Sequence, residues 1–251
     1  MDFLTMLLLF VAALIGGGMS AVAGGASFFT FPALLFAGLS PLEANATNFV
    51  AMTPGNITAL PAFRVELRAL GRALIVPSII GGLGAIVGAV LLLALGGGFF
   101  ANAVPYLMGT ATALFAFAPV LRRLMERRKS SFAKREFGLC LLFIAAVYGG
   151  YFGAGLGQIM LAVLILIGYS DLHIANAAKN AINSVISLVA VVIYGLTGAV
   201  AWPAAIVMVV GASIGGYFGG YFSRRIPQNV LRWAVISFGV ILTVFYFVKG
   251  A

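Results

Sequence analysis

The sequence predicts an all-α polytopic membrane protein, made of two inverted-topology repeats of about five helical elements each, with glycine-broken helical hairpins. Three observations lead there: the composition, an internal duplication at an offset of about 131 residues, and Lys and Arg placed differently in the two halves.

Of 251 residues, 63% are apolar with glycine left out of the count, and 8% are charged. An ordinary soluble domain holds roughly 45–50% and about 25%, and no water-soluble fold has enough interior for this chain. Apolar runs recur from end to end: Met6 to Ile15, Leu74 to Leu95, Val104 to Leu121, Val185 to Tyr194, Trp233 to Val248. Several approach the roughly 20 residues a spanning helix needs. A β-barrel would instead alternate apolar and polar residues, and these runs are apolar on all sides. The first run is read as a mature span and not a secretory signal, because Asp2 stands where a basic flank belongs and no small-residue cleavage site follows. Cys140 is the only cysteine, which excludes an intrachain disulfide and a multi-cysteine metal site. The net charge of +9 sits in short loops between apolar runs, so it reports topology and not a nucleic-acid partner.

The whole chain, 1–251, reads as one transmembrane transporter domain. Repeat 1 covers about 3–122, a cytoplasmic loop about 123–136, and repeat 2 about 137–248. Ala44-Asn45-Ala46 recurs as Ala175-Asn176-Ala177, Gly24 matches Gly155, and Gly88 matches Gly219. With one residue of slack, Gly38, Gly81 and Gly109 match Gly168, Gly211 and Gly239. Each half holds a hairpin broken by glycines and three longer spans. The first half's elements are expected at 3–23, 26–39, 43–63, 72–96 and 103–122. The second half's are expected at 137–153, 157–169, 173–196, 202–222 and 229–248.

Cytoplasmic loops are enriched in Lys and Arg. The loop after the first half's third element holds Arg64, Arg68 and Arg72, whereas its counterpart, Gly195 to Trp202, is uncharged. The next pair reverses: Gly96 to Asn102 is uncharged and its counterpart holds Arg224 and Arg225. The central loop, with Arg122, Arg123, Arg127, Arg128, Lys129, Lys134 and Arg135, is assigned to the cytoplasm. With an odd number of crossings in each half, both termini then lie outside, and the halves insert upside down to one another. Such repeats place a transporter's substrate site at their interface near the midplane.

Two features are candidates for that site. The first is the pair of glycine clusters, Gly16-Gly17-Gly18 through Gly24-Gly25-Ala26-Ser27 and Gly149-Gly150 through Gly153-Ala154-Gly155-Leu156-Gly157-Gln158. A helix broken inside the membrane leaves N–H groups that hydrocarbon cannot satisfy, and at the positive end of a half-helix dipole they suit an anion. The alternative is close helix packing, the reading preferred for Gly84-x-x-x-Gly88 and Gly211-x-x-x-Gly215-x-x-x-Gly219. The second feature is the third element of each half. Asn45, Asn48, Met52 and Asn56 share a helix face, as do Asn176, Lys179, Asn180, Asn183 and Ser187. Asparagines also glue helices together. Pro54-Gly55 is expected to bend or unwind the first of these spans. Lys179 is the one basic residue placed inside a span, and no Asp or Glu lies on either stripe. It therefore suits an anion arriving from outside the protein, unless it snorkels to the interface. Glu43, Asp171 and His173, at the starts of these spans, are candidates for proton coupling, or interfacial residues without a role.

The glycine-rich opening Gly16-Gly17-Gly18 to Phe31-Pro32, the segment Gly38 to Ala44-x-Ala46-Thr47, and Gly150-x-x-Gly153-x-Gly155-x-Gly157 with Ala175-x-Ala177 together resemble the TauE/SafE permeases, the sulfite exporter and toluene-sulfonate uptake group. Gln158 departs from the small residue of that pattern. The resemblance implies transport of a sulfur oxyanion or organosulfonate.

The resulting expectation is a bacterial inner-membrane permease, not an enzyme, that moves a small anion such as sulfite, thiosulfate or an organosulfonate by alternating access. An anion channel or an accessory membrane subunit are the alternatives. Expected substrate contacts are Gly24, Gly25, Ser27, Asn45, Asn48, Asn56, Gly155, Gly157, Gln158, Asn176, Lys179, Asn180 and Asn183. No cofactor or metal is expected. The partners are the substrate and the lipid bilayer, no nucleic acid is involved, and the oligomeric state is not set by the sequence. No ATP-binding motif is present, so energy comes from a gradient or a partner.

Overall fold

A computed structural model describes residues 1–22, 24–127, 135–169, 171–222 and 228–249, except the side chains of 118, 119, 121–127, 135, 228–232 and 249. Among the described residues there are helices and no strands. Arg128, Lys129, Lys134, Arg224 and Arg225, which enter the charge argument for topology, lie outside them.

The first half contains α1 (Phe3–Val22), α2 (Ser27–Phe36), α3 (Pro41–Ala59), the short α4 (Arg64–Leu70) between two 3₁₀ turns, and α5 (Ile75–Arg127), which is interrupted at Gly96. The second half contains α6 (Arg135–Tyr151), α7 (Leu156–Ile167), α8 (Leu172–Leu196), α9 (Trp202–Phe222) and α10 (Gln228–Lys249). By length and composition α1, α8, α9 and the long stretch containing α3 to α5 can cross a membrane. The shorter helices α2 and α7 are equally apolar, 10 and 12 residues long, and too short to span alone.

Local chemistry sets the boundaries, and it does so in the same way in both halves. α3 starts with a capping box, Ser40 with Glu43, behind Pro41, and α8 starts with Asp171 accepting from the N–H groups of His173 and Ile174. α2 closes where Leu39 N–H reaches Leu34 O around Gly38, and α7 where Tyr169 N–H reaches Leu164 O around Gly168. Both are left-handed glycine stops, which leave no Cβ penalty.

Four expectations need correction. Gly16-Gly17-Gly18 and Gly149-Gly150 do not break their helices: they are helical parts of α1 and α6. The breaks are narrower, at Gly24-Gly25 and at Gly153 to Gly155, where φ is positive at four glycines. Gly96 to Asn102 is not a loop either. Only Gly96 leaves helical geometry, with φ 77° and ψ 170°, because one glycine suffices to redirect the chain. The third element ends at Ala59 and not at residue 63, passing into 3₁₀ geometry before Pro61 and then into α4. Pro54-Gly55 does not unwind its span: it stays helical within α3.

Glycines that remain in helices let backbones touch. A Cβ on Gly215 would lie 2.0 Å from Leu14 O, and one on Gly17 2.4 Å from Ala212 O, so α1 and α9 meet with no side chain between them. At the equivalent contact, a Cβ on Gly88 would lie 2.1 Å from Val147 O and one on Gly150 2.4 Å from Ala85 O, joining α6 to α5. α3 packs on α9 the same way: a Cβ on Gly216 would sit 2.1 Å from Gly55 O. Each half's first helix thus packs on the other half's fourth element, and the two halves interlock. In lipid, where apolar burial does not drive helix association, such close contact is the main cohesive term.

Candidate functional site

The interlocking brings the two breaks and the two asparagine stripes to one place. A cavity of about 50 Å³ lies between them, enough for roughly three to five waters at about 10–15 Å³ each, or for a polyatomic ion of similar bulk. The backbone part of its wall comes from Gly24, Gly25 and Ala26 before α2, and from Gly153 and the α7 start at Leu156 and Gly157. Two positive helix ends form the same wall, although the N–H groups of Phe28, Phe29 and Thr30 and those of Leu156, Gln158 and Ile159 turn back to the carbonyls of Gly25, Ala26, Gly153 and Gly155. A Cβ on Gly24 would lie 2.9 Å from Gly157 Cα; only glycine allows the two breaks to approach this closely.

Polar side chains from four helices complete the wall. Asn48 donates from Nδ2 to Ser27 Oγ at 3.0 Å and accepts at Oδ1 from Thr30 Oγ1 at 2.5 Å. Ser20 Oγ donates to Asn56 Oδ1 at 2.7 Å, and Asn56 Nδ2 to Ser187 Oγ at 3.4 Å. Asn56 and Ser187 are 131 residues apart, the repeat offset, so repeat mates touch here. Asn183 is 7% exposed, lines the cavity, and has no partner for Oδ1. Phe49, Met52 and Phe152 give the wall an apolar side, and no lining residue carries a charge.

Of the residues expected at the site, Gly24, Gly25, Ser27, Asn48, Asn56, Gly157 and Asn183 line the cavity. Gly155 shapes the break, with φ +74°, and Gln158 is in the first turn of α7. Asn45, Asn176, Lys179 and Asn180 lie outside the wall and close helix ends. Asn176 and Asn180 both donate to Ala21 O at 3.3 Å, and Lys179 Nζ donates to Ser20 O at 3.2 Å. Asn45 donates to Tyr151 O at 3.0 Å. These acceptors are in the last turns of α1 and α6, whose carbonyls have no intrahelical donor. Lys179 is fully buried, which removes the snorkelling alternative.

Glu43, Asp171 and His173 do not line the cavity. The Ser40 hydroxyl and N–H both donate to the Glu43 carboxylate, and the N–H groups of Ile174 and His173 hold the Asp171 carboxyl below the usual range. The expected substrate contacts left out Ser20, Phe49 and Phe152, and also Met52 and Ser187 although both stood on the candidate stripes. Ser187 carried a signal, being the repeat mate of Asn56; Ser20 carried only its place in the glycine-rich segment.

A wall of neutral donors and two helix amino ends can desolvate and hold a small anion without a fixed ion pair. A family model described as sulfite exporter TauE/SafE matches residues 9–246. The chain is 29% identical over 241 residues to a probable membrane transporter protein of Haemophilus influenzae, covering 94% of this chain and 92% of that one. It is 28% identical over 243 residues to the probable membrane transporter protein YfcA of Escherichia coli K12, covering 94% and 87%. A probable membrane transporter protein of Sinorhizobium, ORF9, is 25% identical over 237 residues, covering 94% and 90%. No solved structure matches the chain.

Proposed function

We propose a mechanism from one premise: the chain belongs to the sulfite exporter TauE/SafE family. It is a multi-pass membrane protein whose relatives are named as transporters. In our reading it is a secondary transporter that moves a small sulfur-containing anion, such as sulfite, thiosulfate or an organosulfonate, by alternating access across a bacterial inner membrane. The observation that carries this reading is the cavity between the two broken helices, lined by uncharged polar groups of both halves.

The anion's oxygens would accept from the N–H groups of Ser27 and Gly157, at the starts of α2 and α7, and from Asn183 Nδ2, with the hydroxyls of Ser27 and Ser187 within the same wall. An organic substituent would lie against Phe49, Met52 and Phe152. The reciprocal packing of α1 on α9 and α6 on α5 supports two inverted repeats. Alternating access then follows as a rocking of the halves about the contact between Asn56 and Ser187, their meeting point at the repeat offset.

Thermal stabilisation of the purified protein in nanodiscs by sulfite, thiosulfate, sulfate, sulfonates and carboxylates tests the reading. A ligand at a hundredfold excess over its dissociation constant adds about 2.7 kcal/mol, and sulfur anions should stand out from carboxylates. Stabilisation by none of them, or by cations instead, would contradict it.

A further inference from the structure

The carboxyl ends of α1 and α6 lie at equivalent places in the two repeats, yet they are closed differently. At the end of α6, Tyr194 OH donates to Gly150 O at 2.6 Å and Asn45 Nδ2 to Tyr151 O at 3.0 Å. Both donors are neutral. At the end of α1, two asparagines share Ala21 O, and the ammonium of Lys179 takes Ser20 O at 3.2 Å. The repeat mate of Lys179 is Asn48, which turns to Ser27 and Thr30 and caps nothing. Neutral groups are therefore enough to close such an end, and the charge at α1 is an addition.

The carbonyl whose oxygen Lys179 holds belongs to Ser20, and the hydroxyl of that same residue donates to Asn56, which donates in turn to Ser187. Ser20, Asn56 and Ser187 line the cavity, whereas Lys179 does not. A path of three hydrogen bonds thus runs from the buried ammonium to the wall. The last carbonyls of α1 carry the negative end of its dipole, which a cation compensates.

We infer that Lys179 is a positioning residue, a tethered cation that closes the carbonyl end of the broken helix α1 and so fixes Ser20 and Asn56 in the cavity wall without touching the transported anion. The inference rests on the cavity being the substrate site, but its first test needs no substrate.

Hydrogen–deuterium exchange on the full chain in nanodiscs reads the positioning directly. In Lys179→Met, amides of residues 19–22, 24 and 25 should exchange about tenfold faster or more, the worth of a charge-assisted hydrogen bond. Those of residues 148–152, at the neutrally closed end, should not change. Lys179→Arg should recover part of the protection, since a guanidinium donates to the same carbonyl in a different shape. In the same nanodiscs, the Met variant should bind methanesulfonate about tenfold more weakly, with Arg between it and the native chain. Lys179→Gln, which keeps length and a donor, serves if the Met variant does not fold, and should show the same local increase in smaller measure. Unchanged exchange at residues 19–25 in both neutral variants overturns the inference, as does an increase spread equally over both helix ends. Should the exchange result hold while no sulfur anion stabilises the native chain, the substrate reading fails and the positioning role stands.

Discussion

Replacing Asn183 by Asp alters the cavity wall with almost no change of shape, exchanging an amide for a carboxylate. Asn183 is nearly buried and its Oδ1 has no partner, so the substitution breaks no bond of that atom. With an anion about 4 Å away and an effective dielectric of about 20, two like charges repel by about 4 kcal/mol, roughly a thousandfold in affinity. Asn183→Ala removes a neutral hydrogen bond worth about 0.5–1.5 kcal/mol, roughly a two- to tenfold loss. The gap between the two variants reports the sign of the ligand's charge, which neither variant reports alone. Dissociation constants for methanesulfonate and thiosulfate, measured by calorimetry on nanodisc-embedded protein, should rise in the order native, Ala, Asp. The reasoning is refuted if the Asp variant binds these anions as well as the Ala variant does.

Other expectations follow from the packing, the topology and the caps. Gly216→Ala brings a Cβ to 2.1 Å from Gly55 O, so α3 and α9 must part. A loss of about 1–3 kcal/mol is expected, read as a lower melting temperature, whereas Gly98→Ala, with nothing within 4 Å, should be neutral or stabilising. In a Cys140→Ser background, Gly98→Cys and Thr197→Cys should react with an impermeant thiol reagent from the outside of intact cells, and Ser130→Cys should not. Labelling of the first two from opposite faces contradicts inverted repeats. The Asp171 carboxyl is held low by the N–H groups of Ile174 and His173. Its cap is therefore fully present above the ordinary carboxylate range and is lost as pH falls through the lowered value. Asp171→Asn should flatten acid-side melting without changing anion affinity.

The all-helical class was legible because composition alone leaves no soluble alternative, and the two-repeat reading rests on glycines and Ala-Asn-Ala that recur at one offset. The asparagine stripes were legible too, since their spacing follows the helical period. Which members of a stripe face the cavity was not. Asn48 and Asn45 are three residues apart on one face, yet the first lines the wall and the second closes α6. The difference depends on where the opposite half's broken helix stops, a tertiary fact. Lys179 shows the same limit: the cost of burying a charge predicts a partner, but a helix carbonyl and a substrate anion satisfy that expectation equally. Glycine clusters misled in the other direction. Gly16 to Gly18 and Gly149-Gly150 read as breaks, because close backbone packing against the other half's fourth element demands the same residue as a turn does.

Flux of a radiolabelled sulfur anion into proteoliposomes containing only this protein tests the central claim most directly. The account predicts saturable uptake, accelerated by unlabelled anion preloaded on the far side and abolished by Asn183→Asp with insertion intact. Uptake that never saturates and shows no acceleration by preloaded anion, or uptake that Asn183→Asp leaves at the native rate, would contradict it.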